Sequence, residues 1–170
     1  MAQNGNRLSS ERRAVKLADY SVRLLGPGDL ELLLAAHSEV FDHPVQRPWA
    51  SEFLADARHH IVAGLVGGQM IASATAVRTL HPDQPPSLFI IEVAVARAHQ
   101  RRGIAKAMLQ LLLAHAHSLG CATAWVGTEQ SNTPARHLYT AVGGWPDSQE
   151  FITFSFEPSA RRPAQAEEPS

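Results

Sequence analysis

The residues best equipped for chemistry lie between Glu92 and Leu113, in EVAVARAHQRRGIAKAMLQLLL. Glu92 is the lone charge in LFIIEVAVA, Leu88 to Ala96. That nearly continuous β-type run predicts a strand buried on both faces and central in a covered sheet. It leads into a basic turn, Gln100-Arg101-Arg102-Gly103-Ile104-Ala105, which opens a helix predicted over Gly103 to Leu119. The first N–H groups of a helix have no intrahelical acceptor and carry the positive end of its dipole. Gly103 lets a ligand approach the backbone, and Arg101 and Arg102 add charge. These are the parts of a phosphate or pyrophosphate cradle. The spacing is neither G-x-x-x-x-G-K nor G-x-G-x-x-G. A plain basic helix start facing solvent fits the same residues.

Other reactive side chains carry weaker signals. His59-His60 and His115-x-His117 resemble metal tracts. On a helix, however, positions i and i+2 do not share a face, and no further ligands join either pair, so no metal site is expected. His43 reads as a turn histidine. The single cysteine, Cys121, begins a predicted strand without a His–Asp setting and reads as core. One cysteine excludes an internal disulfide and a Cys-based zinc site.

The elements that must position these residues can be read from pattern. Tyr20 to Leu25 predicts a strand, broken by Gly26-Pro27-Gly28. Asp29 suits an N-cap for a helix spaced by Leu30, Leu33, Leu34, His37 and Phe41. Asp42-His43-Pro44 ends it, and a second helix is predicted over Trp49 to Arg58. Ile61 to Val66, Gly67-Gly68 and Met70 to Leu80 read as an antiparallel hairpin. His81 to Pro86 reads as a proline-rich loop. Beyond the long helix, which stops at Gly120, come a strand over Ala122 to Thr128 and a helix from Thr133-Pro134 to Val142. Phe151 to Phe156 alternates as a last strand. The order β-α-α-β-β-β-α-β-α-β predicts an α/β fold, a central mixed sheet with helices on both faces.

Composition narrows the function classes. A chain of 170 residues predicts one domain, over residues 19–157, between a flexible tail at 1–18 and a disordered one at 158–170. The longest run of apolar residues and glycine is eight, Ile61 to Gly68, whereas a membrane span needs about 20. The first ten residues lack a signal peptide's apolar stretch. Together these predict a protein of the cytoplasm. Fifteen Lys+Arg against sixteen Asp+Glu give a net charge of −1, without the basic excess of a nucleic-acid binder. Arg7, Arg12, Arg13 and Lys16 near the N-terminus read as a solvated tail rather than a polybasic arm.

The hexad Gln100 to Ala105 resembles the Q/R-x-x-G-x-G/A motif of the GNAT acetyltransferases, and it sits where that superfamily has it, between a V-A-V strand and a long helix. Asn132, Ala135, Leu138, Tyr139 and Gly143 match the superfamily's N-x-x-A-x-x-L-Y-x-x-x-G segment at all five positions. The resemblance covers about Tyr20 to Glu157. It implies a GNAT-like fold and acetyl-CoA as cofactor. It implies that the pyrophosphate lies on the backbone from Arg101 through Arg102, Gly103, Ile104 and Ala105 to Lys106, with Gln100 also among the cofactor-binding residues. The pantetheine would pair like an added strand along Val93, Ala94 and Val95, with Asn132 and Tyr139 bordering it. Glu92 would act as general base, directly or through a water, because burial raises a carboxylate's pKa. A Glu92 paired with an arginine or turned to solvent is the plainer alternative. The N–H of Val93 would serve the thioester oxygen. Tyr139 would protonate the departing thiolate, or else simply pack in the core.

E-V-A-V-x-x-x-H-Q-R-R-G-I-A, the Gly-Pro-Gly-Asp-Leu start and the L-Y-T-x-x-G ending are similar to the GNAT-type aminoglycoside 3-N-acetyltransferases. Those have Y-D-L-A-V where this chain has Ile91-Glu92-Val93-Ala94-Val95. That resemblance implies a polycationic amine as substrate and antibiotic resistance as the outcome. A polycation needs several converging carboxylates. Candidates are Glu39, Asp42, Asp83, Glu92, Glu129, Asp147 and Glu150. A different amine (a protein N-terminus, a polyamine or an amino acid) and a non-catalytic acyl-CoA sensor are the other readings. A homodimer could form through Phe151 to Phe156. Reversing the cradle charges with Arg101→Glu and Arg102→Glu together is expected to abolish CoA binding under every one of these readings. Calorimetric titration with CoA checks it, and unchanged affinity would return the segment to a plain helix start.

Overall fold

The computed structural model describes residues 14–17, 19–147, 153, 155 and 156. Six strands form one sheet in sequence order: β1 Ala14–Leu17, β2 Tyr20–Leu24, β3 His59–Val66, β4 Gln69–His81, β5 Gln84–Val95 and β6 Thr123–Val126. The first five are antiparallel neighbours, and β6 runs parallel to β5. A parallel neighbour requires a crossover, which is the helix α3, Ile104–Ser118. The other helices are α1 Leu30–Leu34, α2 Arg47–Ala55 and α4 Thr133–Ala141. The mixed sheet with helices on both faces agrees with the sequence reading.

Several local expectations change. The tail expected over 1–18 gives way at Ala14–Leu17, which pairs with β2 from Ala14↔Arg23 to Leu17↔Tyr20 and extends the sheet; residues 1–13 lie outside the described residues. The first helix stops at Leu34 rather than near Phe41. Its continuation is diverted because the His37 N–H donates to Met70 O at 2.8 Å. Asp29 does not cap α1 with its side chain. Its carboxylate instead accepts from Arg23 at 2.7 Å and from the Gly26 N–H at 2.9 Å, clamping the turn before the helix. Burial alone would raise the Asp29 pKa, but these two donors and the Arg23 charge together hold it below the ordinary value. The expected proline-rich loop is a tight hairpin: β4 runs to His81 and β5 starts at Gln84, so Pro85 and Pro86 lie within a strand. The expected last strand, 151–156, lies outside the described residues but for 153, 155 and 156, and so does Glu150.

The strand predicted to be buried on both faces is not. In β5, Leu88 and Ile90 are buried, but Ile91 is 48% exposed and Glu92 half-buried. The register explains this. Thr75 pairs with Glu92 and Ala76 with Ile90, so Ile91 is a bulge residue without an opposite partner. On its other side β5 pairs with β6 only over Ser87 to Ile90. The end of the strand therefore has one ladder neighbour among the described residues.

The core has two layers. On one face Ile104, Met108, Leu109, Leu112 and Ala116 of α3 pack on Val22, Val62, Ala74, Ala76, Leu88 and Ile90. On the other, Leu33, Val40, Ala50 and Leu54 pack on Ile61, Ala63 and Met70. Fully buried alanines at 72, 74 and 76 give α3 a flat seat on β4. Gly64 is the tightest point: a Cβ there would stand 2.8 Å from Ile104 Cγ2 and 2.9 Å from the Ala72 Cβ. Among the described residues, no helix is long and apolar enough to cross a membrane. Gly64→Ala is expected to overpack this seam and cost about 1–3 kcal/mol of stability. It should also weaken CoA binding, because Ile104 begins the helix that the cradle opens. Urea denaturation and a CoA titration check both, and a stable variant with normal affinity would show the seam to be soft.

Candidate active site

The cradle is built by backbone conformation. After β5, Arg97–His99 makes one 3-10 turn. Arg101 then takes φ 62°, alone among the described non-glycine residues in having a positive φ, and Gly103 takes φ 82°. Two left-handed residues around Arg102 curl the chain into a concave run of N–H groups, the shape that holds an anion. A non-glycine residue held at positive φ costs about 1–3 kcal/mol and persists only where its surroundings impose it. The first helical bond of α3 runs from the Ala107 N–H to Gly103 O at 3.0 Å. The N–H groups of Ile104, Ala105 and Lys106 therefore precede the ladder and point out of the helix start. Arg101, Arg102 and Lys106 are exposed around them. The Tyr20 hydroxyl stands behind the loop, 3.4 Å from where a Gly103 Cβ would be. Two further bonds hold the approach. Gln100 Nε2 donates to Val95 O at 3.0 Å, and the Arg97 N–H donates to Glu39 Oε2 at 2.8 Å.

On the strand side, Val93 and Val95 turn toward the α3 core, and Ala94 lies opposite Ser73. Glu92 lies opposite Thr75 on the face that carries α1 and α2. Its pKa is raised, first by burial and then by the negative charge of Asp42 in the segment after α1. Tyr139 on α4 is half-buried against the α3 core, and burial pushes its phenol above the ordinary value. Asn132 caps α4: its Oδ1 accepts from the Ala135 N–H at 3.2 Å.

Of the seven carboxylates expected to converge, the structure brings Glu92 and Asp42 into electrostatic range. Glu39 is near in sequence, but its carboxylate is bound to the Arg97 backbone. Asp83 sits in the β4–β5 hairpin beside His81, nine residues before Glu92 and so about 25–30 Å along the strand. Glu129 and Asp147 are exposed, one after β6 and the other after α4. Among the described residues, the electrostatic contact within the expected cluster is that of Glu92 with Asp42. Sequence reasoning missed Tyr20 and the Glu39–Arg97 tie, since both join segments distant in the chain and neither carries a motif. It also missed the contact of His60 with His115, whose Nδ1 and Nε2 are 3.2 Å apart between β3 and α3.

The family model for the acetyltransferase (GNAT) family matches residues 30–144. The chain belongs to the GNAT acetyltransferase family. Solved structures with the same fold include an aminoglycoside acetyltransferase, HMB0005, from an uncultured soil metagenomic sample. It is 25% identical with a TM-score of 0.68, over 80% of this chain and 99% of that one. A second, meta-AAC0020, also from an uncultured soil metagenomic sample and solved with sisomicin, is 14% identical with a TM-score of 0.70, over 81% of this chain and 95% of that one. A third, AAC(6')-Iy in complex with the bisubstrate analogue CoA-S-monomethyl-acetylneamine, is 17% identical with a TM-score of 0.69, over 82% and 99%. Among curated proteins none matches the chain. GNAT acetyltransferases use acetyl-CoA, and the curled loop of this chain has the shape and charge for its pyrophosphate. Gly103→Ala is expected to weaken CoA binding at least tenfold while the circular dichroism spectrum is kept, because φ 82° disfavours any side chain and the Cβ would press on the Tyr20 hydroxyl. Retained affinity would show that the loop has another way to hold its shape.

Proposed function

We propose that this GNAT acetyltransferase transfers acetyl from acetyl-CoA to an amine of an aminoglycoside, at the 3-N position, and so confers resistance. The observation that carries this reading is the acidic pair Glu92 and Asp42 on the face opposite α3, one residue from the β5 bulge. Two unneutralised carboxylates near one another suit a polycation. Fold neighbours crystallised with sisomicin or with an acetylneamine bisubstrate analogue support the same substrate class. The 3-N position rests on the E-V-A-V-x-x-x-H-Q-R-R-G-I-A pattern. The reading extends to the cytoplasm as its location and to a second copy of the chain as a partner.

Acetyl-CoA supplies the acetyl as an activated thioester. The chain's part is to hold it and to move protons. The backbone from Arg101 to Lys106 holds the pyrophosphate, while Gln100, bonded to Val95 O, fixes the loop to the strand. Val93, Ala94 and Val95 offer backbone groups to the amide-bearing arm, with Asn132 and Tyr139 alongside. Glu92 takes a proton from the substrate ammonium, directly or through a water, since only the neutral amine is a nucleophile. The Val93 N–H donates to the carbonyl oxygen as charge develops. Tyr139, whose phenol carries its proton at neutral pH, donates to the thiolate.

Glu92→Gln tests the base. A positioned general base contributes roughly 100-fold or more, so kcat is expected to fall by about that factor, and the acidic limb of the pH profile to disappear. Stability moves the other way. Because the folded pKa of Glu92 is raised, its contribution is present below the ordinary glutamate value and lost as pH rises through the folded one. Glu92→Gln should therefore raise Tm at neutral pH, and an unchanged pH profile would remove the assignment. Acceptor identity is read by free-thiol release with gentamicin, sisomicin, kanamycin, spermidine and an N-terminal peptide tried separately. Turnover with the peptide or spermidine alone would discard the antibiotic.

A further inference from the structure

The face that carries Glu92 has a second feature, in residues the motifs do not include. Phe89 of β5 and Trp125 of β6 are paired in register, and their rings stack at 4.1 Å between centroids with 26° between planes. Val77 pairs with Phe89 and Thr75 with Glu92. Thr75 and Val77 are two apart on β4, so they share a face, and their partners share it too. Three residues separate Phe89 from Glu92, and in a regular strand they would lie on opposite faces. The bulge at Ile91 brings them to one side. Leu88 and Ile90 go to the other, into the α3 core.

Helices α1 and α2 cover this face only in part. Among the described residues, the buried cluster beneath them draws on β3 and β4 through Ile61, Ala63 and Met70, and on no residue of β5 or β6. Trp125 is accordingly 52% exposed. Two residues along a strand span about 7 Å and neighbouring strands lie about 4.8 Å apart. The Trp125 ring therefore stands one pleat and one strand from Glu92, a separation on the scale of one sugar ring. A saturated ring offers aromatic side chains an apolar C–H face, and the negative face of an indole attracts ammonium groups. A carboxylate beside an open aromatic pair suits a ligand that is both ring-shaped and cationic.

We propose that the stacked Phe89–Trp125 pair is the acceptor platform of the enzyme, taking the apolar face of an amino-sugar ring whose ammonium groups turn toward Glu92. This rests on the aminoglycoside reading above and adds a selection for ringed over linear amines.

The test compares the whole enzyme with its Trp125→Ala and Trp125→Phe variants. Binding of gentamicin, sisomicin and spermidine is followed by calorimetry, and KM and kcat by thiol release. For Trp125→Ala the expected result is at least a tenfold loss of gentamicin and sisomicin affinity with a matching rise in KM. The kcat, the acetyl-CoA affinity and spermidine binding should stay within twofold, and Trp125→Phe should recover most of the loss. Unchanged gentamicin affinity in an enzyme that acetylates gentamicin would overturn the platform and leave the aminoglycoside reading intact. An equal loss for acetyl-CoA, or a fall in Tm that Trp125→Phe does not repair, would overturn it in favour of packing at the sheet edge. A dimer that dissociates in Trp125→Ala with amine binding unchanged would overturn it in favour of a subunit interface. Wild-type enzyme that neither binds nor acetylates any aminoglycoside would overturn both proposals.

Discussion

One extra residue in β5, Ile91, sets the side of the sheet on which everything downstream falls. Before it, Leu88 and Ile90 face α3 and Phe89 faces away. After it, Glu92 faces away and Val93 and Val95 face α3. Without the bulge the carboxylate would enter the α3 core, where an unpaired charge is costly. With it, Glu92 comes to the half-open face near Asp42, and the end of the strand parts from β6. The same irregularity thus supplies an acid of raised pKa and a strand end that, among the described residues, is paired on one side. Bulges concentrate beside active sites because they re-aim one side chain without unfolding the strand.

The second constraint is the seat of α3. Fully buried alanines on β4 and the missing side chain of Gly64 let the helix start approach the sheet. That approach aims the first N–H groups of α3 past the end of β5. The positive φ at Arg101 and Gly103 completes the curl, while the Glu39 carboxylate and the Gln100 amide tie the loop to its surroundings. The cradle is therefore a product of close packing on one side and backbone conformation on the other. Its exposed arginines add charge to a shape that the main chain already makes.

Much of this was legible because it is local. The hexad, the long helix and its glycine stop, the Gly67-Gly68 turn and the L-Y segment depend on residues within one or two turns of each other, and each stood where expected. Misreadings occurred where a distant partner decided. The helical spacing continues to Phe41, yet the helix stops at Leu34 because the His37 N–H is taken by Met70 on β4. LFIIEVAVA was read as fully buried because composition reports hydrophobicity and not register, so a bulge is invisible to it. Residue type alone marks Asp83 and Glu39 as acceptor carboxylates, whereas the β4–β5 hairpin carries Asp83 far from Glu92 and Glu39 gives one of its oxygens to the Arg97 N–H.

The sequence by itself determined the fold class and the family, and it marked the turn from Gln100 to Ala105 that we propose as the anion cradle. Each of these follows from short-range periodicity, from turn residues with restricted φ and from a motif whose members are neighbours in the chain. Tertiary structure alone decided which carboxylates meet, which face Glu92 occupies and that Phe89 stacks on Trp125. Those relations depend on strand register across the sheet, and shifting a register by one residue exchanges the two faces without altering the local pattern of any strand.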